Sequence, residues 1–139
     1  MNVDSWSPKI LSLMRFVVGL VFLQHGTQKI LHFPAAMAAP GGGGPRPAMP
    51  PLMAMLGGAS GWIELVGGVL IVIGLFTRPV AFLISGEMAI AYFMAHAPRS
   101  PFPILNGGDL AVTFCFVFLY LAFAGGGPLS IDGMMKKRI

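Results

Sequence analysis

Four long apolar stretches set the pattern of this chain: Ile10 to Leu31, Leu56 to Phe76, Val80 to Ala97, and Leu110 to Ala124 extended outward through Asn106. Each approaches the ~20 residues a helix needs to cross the hydrocarbon core of a bilayer. The runs are continuously apolar rather than alternating, and lipid tolerates only helices or closed barrels, so strands are not expected. The pattern predicts an all-α membrane protein: one integral-membrane domain, built as a four-transmembrane-helix bundle with spans over 10–31, 56–76, 80–97 and 106–124. Arg15 interrupts the first run, and the polar stretch Gln24 to His32 separates it from Ala36-Met37-Ala38, a layout unlike that of a cleaved signal peptide. Residues 33–55, with Gly41 to Gly44 and a high density of proline, predict a mobile loop whose last part, from Met49, could lie on the membrane surface.

Composition agrees with this reading, since 55% of the 139 residues are hydrophobic and only 10% are charged, whereas soluble domains carry about 25% charged residues. The net charge of +4 does not indicate nucleic acid, because the nine Lys and Arg are scattered and include two inside apolar runs. The single Cys115 excludes an internal disulfide and CxxC chemistry. Four spans place both termini on one side together with the Thr77-Arg78-Pro79 turn, so that side collects Lys9, Arg78, Lys136, Lys137 and Arg138. The other side holds Arg46 and Arg99. The positive-inside rule then puts both termini in the cytoplasm and the two longer loops outside. Lipid is the first expected partner, with the Lys136-Lys137-Arg138 tail meeting anionic headgroups.

Ionisable groups within such spans are costly and tend to mark function. They are Arg15, His25, Lys29, Glu64, Glu87, His96 and Asp109. Counted at 1.5 Å per residue, Arg15 lies about 8–9 Å deep from Lys9 and Glu87 about 13–14 Å deep from Arg78, an offset a guanidinium can cover. An Arg15–Glu87 ion pair is therefore expected in the inner half, neutralising two buried charges. The same count puts Glu64, Asp109 and His25 about 20–24 Å from the inner boundary, near Lys29, His96 and Asn106 at the outer surface. These six residues form one candidate ligand or proton-handling layer. Arg15, Gly19, Phe22, Gly26 and Lys29 make one helical stripe, and Ser60, Gly61, Gly67 and Gly68, three and four residues to either side of Glu64, allow another helix to approach closely. Asn106 or Asp109 could equally cap the last helix. His96 shares the layer only if its helix unwinds before Pro98, since it lies opposite Glu87 on a regular helix.

Read together, these positions resemble the DoxX family of small bacterial membrane proteins. The resemblance rests on Arg15, then His25-Gly26-x-x-Lys29, then Glu64-x-x-Gly67-Gly68, then Gly74-Leu75-Phe76-Thr77-Arg78, then Asn106-Gly107-Gly108-Asp109-Leu110, and finally Gly127-Pro128-Leu129-Ser130-Ile131-Asp132. It implies a multi-pass protein of the bacterial cytoplasmic membrane, related to the quinone-linked subunits of thiosulfate oxidation and associated with redox and oxidative-stress functions. A quinone headgroup held among His25, Lys29, Glu64 and Asp109 suits that implication, because imidazole and carboxylate can hydrogen-bond quinone oxygens and take up protons. The absence of a redox thiol pair or cofactor motif then requires a membrane or periplasmic partner to exchange electrons. Haem between His25 and His96, or a metal on His25, Glu64 and Asp109, is the weaker alternative, since no HxxxH or ExxH spacing supports it. Two other functions stay open: a non-catalytic scaffold or assembly partner recruiting through glycine faces, and a small-solute or proton transporter using Asp109, Glu64, Glu87 and Arg15 as a descending ladder. Transport through so few spans would call for a homo-oligomer.

Overall fold

The computed structural model describes residues 3–35 and 50–136. Regular structure among them is helical throughout: a 3-10 turn at Val3–Ser5, then α1 (Ser7–Leu31), α2 (Pro51–Ile73), α3 (Thr77–Ala91), a π-helical turn at Tyr92–His96, α4 (Pro103–Asn106), α5 (Asp109–Ala124) and α6 (Ile131–Lys136). Most of the expected 33–55 loop lies outside the described residues, but its end is helix. Pro50 and Pro51 open α2 five residues before the expected Leu56, because proline's fixed φ suits a first helical turn whose N–H needs no partner.

Three helices are long and apolar enough to cross a membrane: Ser7–Leu31, Pro51–Ile73, and Thr77–His96 counted through the π-turn. The fourth apolar helix, α5, has 16 residues and spans about 24 Å. Large side chains such as Phe82, Leu83, Phe116 and Phe123 stand exposed around the outside, each more than 60% accessible. A surface so apolar belongs in lipid.

Two antiparallel helix pairs, α1 with α2 and α3 with α5, meet through α2 and α3. The first pair is close because glycine permits it. A Cβ on Gly26 would collide with the backbone of Glu64 and Leu65, and one on Gly68 would lie 2.8 Å from the Leu23 Cα. The shared core is small: Phe22, Ile71, Ala81, Ile84, Met88, Phe114, Phe118 and Leu121. Phe22 sits edge-on to Phe114 and Phe118, with centroids 5.4 and 4.9 Å away, and so joins α1 to α5.

One end of the bundle is tied by polar contacts. Arg15 is 3% exposed, and its guanidinium donates to the carbonyls of Gly126 (2.9 Å), Leu129 (2.7 Å), Ile71 and Val72. Ser12 accepts from the Leu129 N–H. The Asp132 carboxylate accepts from the N–H groups of Phe76 and Thr77 at 2.9 and 2.8 Å, capping α3 from a distant part of the chain. Gly74, at φ 70°, makes the turn between α2 and α3, and a side chain there would strike Ser130.

These contacts overturn the expected Arg15–Glu87 ion pair. Arg15 is spent on carbonyls level with Val72, at the base of the bundle, whereas Glu87 lies ten residues along α3 from Thr77, about 15 Å higher. The count from Lys9 failed because α1 begins below the α2–α3 turn, so depth along α1 is not depth along α3.

Candidate functional site

Higher in the bundle, Lys29 of α1, Ser60 and Glu64 of α2, and Glu87 of α3 come together. The Lys29 Nζ donates to Glu64 Oε1 at 2.7 Å and to Ser60 Oγ at 3.0 Å, and the Ser60 hydroxyl donates to the same carboxylate oxygen at 3.3 Å. The pair is asymmetric: the Lys29 side chain is 43% exposed and that of Glu64 is 3% exposed. Lys29 therefore reaches inward from an accessible position, its methylene stem lying along the helix surface. Ser60, Glu64 and Lys29 are also the groups that act on the Glu87 carboxyl.

The hydrogen bonding of this cluster is incomplete. Glu64 Oε2 is buried with no hydrogen-bond partner, and both carboxyl oxygens of Glu87 are buried with Ser60, whose one proton goes to Glu64, as the donor beside them. A buried carboxylate oxygen without a donor costs more than an ordinary missing hydrogen bond, in the range of a few kcal/mol. One ammonium serves two carboxyl groups, so the site has acceptors to spare. Such an arrangement can receive a donor group of a ligand, or hold and release a proton.

Glu87 and Ser60 were not among the residues the sequence placed in the outer layer, although a signal for Glu87 exists. Glu64 lies ten residues before Gly74 and Glu87 ten residues after Thr77. Folded about that turn, an antiparallel hairpin brings both carboxyls to one level, about 15 Å from it. Ser60 precedes Glu64 by four residues and so shares its helix face.

The other expected members lie elsewhere. His96 and Asn106 meet each other: His96 Nδ1 lies 3.1 Å from the Asn106 carbonyl oxygen, and the His96 ring stacks on Tyr92. The Asn106 side chain donates to Ser100 O at 2.8 Å and accepts from Gly108 N–H at 2.7 Å. Asn106 thus forms an Asx-type turn ahead of α5, whose N-cap residue is Gly108 and which has no side-chain cap, and it ties the end of α3 to the start of α5. The π-turn supplies the departure from a regular helix that His96 needed, but it delivers the ring to Asn106. A π-turn closes i→i+5 bonds and so shifts the phase of whatever follows. Asp109 is exposed in the first turn of α5, where an acid is favoured by the helix dipole, and its backbone carbonyl accepts from Thr113. His25 is half-buried, edge-on to Phe114 at 5.9 Å. The single layer expected from depth is therefore two polar clusters and two separate residues. The His25–Glu64–Asp109 trio is not assembled, and no group of three or more His, Cys, Asp or Glu side chains among the described residues is placed to hold a metal ion.

Comparison with known proteins adds the family. The DoxX family model matches residues 10–97, well over half of the chain. The chain belongs to the DoxX family. The matched region contains Arg15 and the whole Lys29–Ser60–Glu64–Glu87 cluster. This DoxX protein is also 41% identical over 140 residues to a Haemophilus influenzae protein described as uncharacterized, covering 99% of this chain and 98% of that one. No solved structure matches it.

Proposed function

We propose that this DoxX protein is a quinone-linked subunit of a membrane redox system, with the Lys29–Ser60–Glu64–Glu87 cluster as its ligand site. In this reading α5 is the fourth span of a single membrane domain. The end bearing Lys9, Arg78 and Lys136 faces the bacterial cytoplasm, and the cluster lies toward the opposite face of the inner membrane.

The observation that carries the proposal is the set of three buried carboxyl oxygens that share one serine proton and one half-exposed ammonium with Glu64 Oε1. The two hydroxyls of a quinol are donors of the kind those oxygens lack, and Lys29 can donate to the carbonyl of the oxidised form. A bound quinol would supply two electrons and two protons on oxidation, the electrons passing to a membrane or periplasmic redox partner. Glu64 and Glu87 accept the protons, and Lys29 balances the charge of whichever carboxylate is ionised. His25, one turn before Lys29 on α1, borders the same region and serves as a further ring contact. His96, Asn106 and Asp109 build the entrance to α5 rather than the ligand contacts.

The transport alternative loses its inner step, because Arg15 is held by four backbone carbonyls rather than by Glu87. Titration of the detergent-solubilised protein with a short-chain quinol, followed by quenching of tryptophan fluorescence, tests the proposal. Saturable binding lost in Glu87→Gln and Lys29→Met, with both variants eluting as folded protein, is the expected result. Equal binding in all three, or none in the parent protein, would overturn it.

A further inference from the structure

A second polar site lies at the opposite end of the bundle. A cleft of about 510 Å³ is walled by the start of α3, the end of α5, the Gly125–Gly127 turn and α6. The Arg78 guanidinium lies over Gly125, where a Cβ would be 3.3 Å from its Nε. Lys136 lines the same cleft from α6. The ion pair found among the described residues is Lys29–Glu64, so neither cation of the cleft is in direct ion-pair contact with Asp132, and the cleft keeps a net positive charge. The acid that lines the cleft, Asp132, has both oxygens occupied by the Phe76 and Thr77 N–H groups. Ser130 is also occupied, donating to Gly127 O and accepting from Gly133 N–H. Thr77 is different: it is fully buried, lines the cleft, and its hydroxyl has no hydrogen-bond partner.

The polar groups left over in the cleft are therefore two cations and one hydroxyl, all able to donate. We propose that the cleft binds a phosphate group, carried by an anionic lipid of the leaflet on that side. Arg78 and Lys136 supply charge and Thr77 supplies a short directional donor, a combination suited to phosphate oxygens. The apolar faces beside it, including the exposed Phe76 and Met135, give the acyl chains a surface to follow. The site is independent of the quinone reading, since it shares no residue with the Lys29 cluster.

The test is native mass spectrometry of the full chain released from nanodiscs of phosphatidylglycerol and phosphatidylcholine. Retained phosphatidylglycerol is expected to fall about fivefold for each of Arg78→Gln and Lys136→Gln, the scale of one basic residue at an anionic surface. Lys9→Gln removes a charge from the same end, where the ammonium lies over the Trp6 ring, 4.8 Å from its centroid; this variant should retain the lipid. Both cleft residues are exposed, so their variants should fold, and an unchanged elution profile checks that. Millimolar inorganic phosphate added before release separates the sources: undiminished lipid adducts assign the site to the headgroup in its membrane setting, and displacement assigns it to the phosphate group alone. Unchanged phosphatidylglycerol retention in both cleft variants, or an equal loss in Lys9→Gln, would overturn the proposal.

Discussion

At the scale of single residues, Lys29 and Glu87 stand in opposite situations. Lys29 neutralises a carboxylate that is almost wholly buried. Lys29→Met should therefore lower stability by about 3 kcal/mol, the cost of stranding a buried charge, and Glu64→Gln added to it should restore much of the loss. Thermal unfolding in detergent of the two single variants and the double variant reads this coupling directly. Ser60 is the donor beside the Glu87 carboxyl, and its proton already goes to Glu64, so Glu87→Gln should change stability by no more than about 1 kcal/mol while abolishing ligand binding. If Glu87→Gln instead fails to fold, the carboxyl is structural.

At the scale of elements, the α1–α2 pair depends on contacts that only a glycine allows. Gly26→Val should push α1 away from the Glu64–Leu65 backbone and separate Lys29 from its partners. An overpacking cost of about 3 kcal/mol or more is expected, seen as a lower unfolding temperature together with weaker quinol binding. This part of the architecture was legible in the sequence, because the glycines near Glu64 and the stripe from Arg15 to Lys29 are local patterns that fix which faces meet. The grouping of the polar residues was legible only in part: Lys29 with Glu64 and His96 with Asn106 were placed in one layer and do meet, but the division of that layer in two was not foreseen. Depth counted along separate helices assumed that Lys9 and Arg78 mark one level, and it could not see the π-turn that carries His96 to Asn106. Asn106→Ala should cost about 2 kcal/mol through the lost Gly108 and Ser100 contacts, without altering the affinity of the Lys29 cluster.

At the scale of the whole molecule, Arg15 joins three parts of the chain distant in sequence: α1, the end of α2, and the turn after α5. Its role is that of a latch, and the expectation of a partner carboxylate erred in the kind of acceptor rather than in its burial. Arg15→Met would leave carbonyls of that end without their donor, and should release the segment from Gly125 onward. Faster cleavage there by trypsin at Lys136, with the helices still inserted, is the expected outcome. The same end carries the cleft with Arg78, while the Lys29 cluster lies two to three turns higher, so the two proposed sites would divide the molecule into an anchoring end and a chemical one.

That division rests on the cluster being a ligand site, and bound quinone is the most direct test of it. The protein would be purified in mild detergent, extracted with organic solvent, and its non-protein content identified by mass spectrometry, alongside Glu87→Gln and Lys29→Met. Near-stoichiometric quinone in the parent protein, absent from both variants when they remain folded, is what the account predicts. Quinone retained equally by the variants, or lipid alone in the parent protein, would contradict it.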